Sequence, residues 1–106
     1  MSTDRLQALE RMLERNRDDA RAHFGLASEL EKRGEWQRVV HHLREYLRVA
    51  DDQGNAWGRL GRALSALGDH AAARAAYERG VAAANQHGHP TMAAEFEAML
   101  EELPPA

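Results

Sequence analysis

Apolar residues return along this chain every three or four positions, in six runs separated by breakers. Leu6, Leu9, Met12 and Leu13 share one helical face, and Phe24, Leu26, Ala27 and Leu30 another. The third run carries Trp36, Val39, Val40, Leu43 and Leu47, and the fourth Trp57, Leu60, Gly61 and Leu64. Ala73, Tyr77 and Val81 mark the fifth; Met92, Phe96, Met99, Leu100 and Leu103 mark the sixth. This spacing is that of an amphipathic helix, so six helices are predicted. The breakers are Asn16 to Asp19, Gly34, Asp51 to Asn55, Gly68, Gln86 to Pro90 and Pro104-Pro105. Gly34 and Gly68 stand where a helix finishes and a left-handed residue is wanted. Asp69 is expected to cap the helix after Gly68, whereas Glu35 in the matching position is a poorer cap. Pro90 fits a first helical turn, where its missing N–H has no partner to lose. Connections this short make neighbouring helices antiparallel.

Composition narrows the class of protein. Ala, Arg, Leu and Glu dominate and only 3 of the 106 residues are proline, the alphabet of helices rather than sheet. With 14 Lys and Arg against 17 Asp and Glu, the net charge of −3 gives no reason to expect nucleic acid or an acidic membrane as partner. There is no cysteine, which excludes disulfides, thiolate metal sites and cysteine nucleophiles. The start, MSTDRLQALE, lacks an apolar signal core, and no apolar run approaches the ~18 residues of a membrane span. A cytoplasmic protein is the expectation.

The chain also repeats itself. A shift of 34 residues sets His23 on Trp57, Leu26 on Leu60, Ala27 on Gly61, Leu30 on Leu64 and Gly34 on Gly68. In the second half of each unit Val39 meets Ala73, Leu43 meets Tyr77 and Leu47 meets Val81. The pattern Trp57-x-x-Leu60-Gly61-x-x-Leu64, Gly68, then Ala73-x-x-x-Tyr77 resembles the tetratricopeptide repeat (TPR) family. Departures are visible: Leu30 and Leu64 replace an aromatic, Gly80 stands for a small residue such as alanine, and Asp51 and Asn85 replace the closing proline. The resemblance implies an all-α fold, a right-handed α-solenoid of antiparallel helix hairpins with about six helices. It further implies one TPR-like domain over 1–106: an N-terminal flanking helix at 3–15, repeats at 20–53 and 54–87, and a capping helix at 90–103.

On this reading Gly61 and Ala27 are small because another helix crosses there, while Trp57, Leu60 and Leu64 fill the space between helices. The face turned away from them, at 100° per residue, carries Asn55, Arg59 and Arg62, flanked by Gly58. In the first repeat the same geometry selects Arg21, Ser28 and Lys32, flanked by Phe24. In the resembled family the first helices of successive repeats line a concave groove that holds a peptide or a partner's helix. These residues are therefore the candidate partner-binding groove, locally basic and suited to an acidic or amphipathic segment of another protein. Phe24 is set toward Gly58 of the next repeat, as a filler or as one side of an apolar pocket. One subgroup of the family grips chaperone tails with Lys and Asn; Phe24, Ser28 and Arg59 occupy those positions here, which argues against that ligand.

The last helix is acidic, with Glu95, Glu97, Glu101 and Glu102 and no Lys or Arg from residue 83 onward. Its stripe of Met92, Phe96, Met99, Leu100 and Leu103 either caps the second repeat or docks on another copy as a weak homo-oligomer. Metal and catalytic chemistry find little support. His41 and His42 point about 100° apart on a helix, no H-x-x-x-H pair exists, and His87 and His89 lack an evident third ligand. His23 and His70 stand where the repeat expects aromatics, so packing explains them. With no paired acids in an apolar pocket and no phosphate loop, neither cofactor nor enzyme activity is expected.

Overall fold

The computed structural model describes residues 2–105. Six helices follow one another: α1 (Ser2–Arg15), α2 (Ala20–Lys32), α3 (Trp36–Val49), α4 (Asn55–Ala66), α5 (His70–Gln86) and α6 (Pro90–Glu102). There is no strand among the described residues, and no helix among them is long and apolar enough to cross a membrane. The chain forms two compact units, one ending at Ala50 and the other starting at Asp51.

In the first unit α2 and α3 form a hairpin and α1 lies along α2. Leu26, Ala27 and Leu30 from α2 meet Val39 and Leu43 from α3, all fully buried, and Leu6 and Leu9 of α1 close one side. The approach of α1 is tight because α2 offers a glycine: a Cβ on Gly25 would stand 3.0 Å from Leu9 Cδ2. In the second unit α5 packs along both α4 and α6. Its core is built from small residues, Ala56, Ala63, Ala73, Ala76, Ala84 and Ala93, around Leu60, Leu64 and Tyr77. Small side chains let helix axes approach, and the aromatic rings then fill what remains.

The turns follow their sequence signals. Gly34 and Gly68 have φ of 69° and 81°. In each, the next residue's N–H returns to a carbonyl of the preceding helix, Glu35 to Leu30 and Asp69 to Leu64, which closes the helix end. Gly88, with φ 75°, ends α5 the same way as His89 N–H reaches Ala84 O. Asp69 caps α5 through Oδ1, which accepts from Ala72 N–H at 3.2 Å; Glu35 makes no such bond. Pro90 opens α6. Asp69→Ala is expected to lower the unfolding free energy by about 1 kcal/mol in urea titration. Glu35→Ala, losing only an exposed pair with Arg38, is expected to change it by less than about 0.5 kcal/mol.

Candidate functional site

A hollow of the second unit lies between α4 and α6. Its formation begins with the start of α4, where Gly54 has φ 127° and the Asp52 carboxylate accepts from Gly54 N–H and Ala56 N–H at 2.8 and 2.9 Å. Three glycines then receive α6. A Cβ on Gly54 would lie 3.0 Å from Met92 Sδ, one on Gly58 2.3 Å from Phe96 Cε1, and one on Gly80 2.9 Å from Phe96 Cδ2. Phe96 therefore reaches across from α6, one ring edge toward Gly58 of α4 and the other toward Gly80 of α5, with Tyr77 at 6.0 Å between ring centres.

Beside that ring the two helices leave an open hollow of 510 Å³. One wall is the α4 row Asn55, Arg59 and Arg62; the other is the α6 row Met92, Glu95 and Met99, with Gly58, Tyr77 and Phe96 between them. Burial pushes the Tyr77 phenol above its ordinary pKa while Arg62 pulls it back, so Tyr77 stays a neutral phenol at physiological pH. This size and mixture of apolar floor and a few charged groups suit the anchoring side chains of a ligand.

Half of the groove expected from the sequence is thus brought together: Asn55, Gly58, Arg59 and Arg62 line one hollow. They are joined there by Met92, Phe96 and Met99, which the sequence suggests for capping or self-association. The ring that lies on Gly58 is Phe96; within the first unit Phe24 leans on Tyr46 of α3 with ring centres 5.0 Å apart. Within the first unit Arg21 is exposed and Ser28 Oγ donates to Phe24 O. Lys32 is held at 3.3 Å by the carboxylate of Glu29, which is buried and also bound by Arg5 at 3.1 Å. In the last helix Leu100 and Leu103 are half-buried, and Met99 remains 39% exposed. Among the motif residues, Gly61 lies under Tyr77, Leu60 and Leu64 are buried, and Trp57 lies beside Gly80 with Arg79 at 4.6 Å above its ring.

The first unit holds a titratable group that sequence reading passes over. His23 and His42 are both buried and their Nδ1 atoms are 3.0 Å apart. His23 Nε2–H donates to Arg17 O at 2.8 Å, which leaves the His23 Nδ1 as acceptor and places the shared proton on His42 Nδ1. Burial, then the neighbours His41, His23 and Arg38, push the His42 pKa from 6.5 down to about 4, against an opposing pull from Glu45. His42 also borders an open hollow of 470 Å³ with Glu10, Leu13, Glu14, Arg17 and Leu26. No group of three His, Asp or Glu side chains among the described residues is arranged to hold a metal ion.

Three comparisons place these features. No family model matches the chain. It is 34% identical over 98 residues to TPR repeat-containing protein PA0015 of Pseudomonas aeruginosa, covering 92% of this chain and 93% of that protein. Its fold matches the solution structure of protein BPP2914 from Bordetella parapertussis with a TM-score of 0.74 and 31% identity, over 91% of this chain and 84% of that one. A 34-residue repetition, helix hairpins closed by Gly34 and Gly68, and kinship along nearly the whole length agree, and the chain belongs to the tetratricopeptide repeat proteins.

Proposed function

We propose that this protein is a non-catalytic interaction module that takes a peptide or helix of a partner protein in the α4–α6 hollow. The observation that carries the reading is the lining itself: two arginines on one wall, flexible methionines on the other, and an aromatic floor. Methionine adapts to differently shaped apolar side chains, and arginine supplies forked donors to carboxylates. Membership of the TPR family supports a protein as the ligand.

The test uses a photo-crosslinking residue at Ala98, which lines the hollow and is exposed. In the Arg59→Glu, Arg62→Glu variant the protein crosslinked in cells is expected to disappear, while helicity and Tm stay nearly unchanged. Undiminished crosslinking to the same protein would overturn the reading. A second reading, self-association through the last helix, is favoured by the exposure of Met99. Light scattering that shows a monomer across a hundredfold concentration range would remove it.

A further inference from the structure

The hollow is not uniformly basic. Arg59 and Arg62 stand on the α4 wall, but the facing α6 row carries Glu95, and Glu102 follows seven residues later on the same side of that helix. From residue 83 onward no Lys or Arg offsets these carboxylates. Positive charge therefore runs along one rim and negative charge along the other, with Tyr77, Phe96, Met92 and Met99 between.

We infer that the occupant is an amphipathic helix of a partner protein whose apolar stripe is bordered by carboxylates on one edge and by Lys or Arg on the other. This rests on the hollow being the partner site. The α4 wall from Asn55 to Arg62 covers eight residues, a rise of about 10 Å, or two helical turns. Both walls present rows spaced by three and four residues, the ridges between which a third helix fits its own. Such a helix seats two apolar side chains a turn apart over Phe96 and Tyr77. Its acidic edge then meets Arg59 and Arg62, and its basic edge meets Glu95. A ligand with acid on both edges places a carboxylate against Glu95, and one with bases on both edges places a cation against the arginines.

Three fluorescent 14-residue peptides with the same leucine stripe test this by polarisation: acid and base on opposite edges, acid on both, and base on both. The split peptide is expected to bind at least about fivefold more tightly than either other, the size of one or two surface charge contacts reversed. In Glu95→Lys, an exposed position, the acid-on-both peptide is expected to become the tightest. Tightest binding of the acid-on-both peptide to the native protein, or an unchanged ranking in Glu95→Lys, overturns the split-charge inference and leaves the hollow as the site. If none of the three binds, the hollow fails as a helix site and the inference falls with it.

Discussion

Gly61→Leu is expected to destabilise the protein by about 3 kcal/mol, the upper part of the range for overpacking a closed core. A Cβ at this position would stand 2.9 Å from Cε1, Cε2 and Cζ of Tyr77 at once, so it meets the face of the ring rather than a movable tip. The ring has little room to retreat, because Tyr77 is 3% exposed and the Phe96 ring lies tilted beside it, 6.0 Å away centre to centre. On an exposed helix, replacing glycine would gain about 1 kcal/mol of helix propensity; here the steric cost outweighs it. Urea unfolding of Gly61→Leu, Tyr77→Ala and the double variant checks the cause. If the ring is the obstacle, the double variant is more stable than the sum of the single losses by more than about 1 kcal/mol. Additive losses would place the strain elsewhere.

Acid is expected to loosen the first unit. In the folded chain the His42 pKa lies at about 4, below the 6.5 of an unconstrained imidazole, so the unfolded chain binds the proton more readily. The resulting stability is fully present above about pH 6.5 and is lost as pH falls toward 4. At about 1.4 kcal/mol per pKa unit, roughly 3 kcal/mol is at stake, most of it gone by about pH 4.5. Urea midpoints measured from pH 7.5 to 4.5 should fall accordingly. His42→Asn keeps a donor toward His23 and removes the titrating ring, and should flatten at least half of that fall. An undiminished slope in His42→Asn would assign the acid sensitivity to other groups.

The helices, their antiparallel hairpins and the repeat register were legible because each rests on local or periodic signals. Leu60, Gly61 and Leu64 announce a buried face, and Gly34, Gly68 and Asp69 announce their turns, within a few residues of themselves. The rows on α4 were legible too, since 100° per residue separates Arg59 and Arg62 from Leu60. What faces them was not. Phe96 lies 38 residues beyond Gly58 in a helix outside the repeat, and no period links the two. Gly58 signalled a close approach, but a missing side chain does not say which ring fills its place. The His23–His42 pair was hidden for a different reason: His23 sits on an aromatic position of the repeat, where packing alone accounts for it. A polar partner on α3 becomes visible only when the hairpin closes.

Phe96 has one more consequence, which concerns how such a protein diverges. Because its ring is the bridge between α6 and α4, the thickness of a single side chain gauges the breadth of the cleft above it. A duplicate gene that exchanged this ring for leucine, or one of the facing glycines for alanine, would reset the gap between the two rims while leaving their charges in place. The breadth of the cleft and the charge of its rims are thus written in separate residues, and evolution can alter either without disturbing the other.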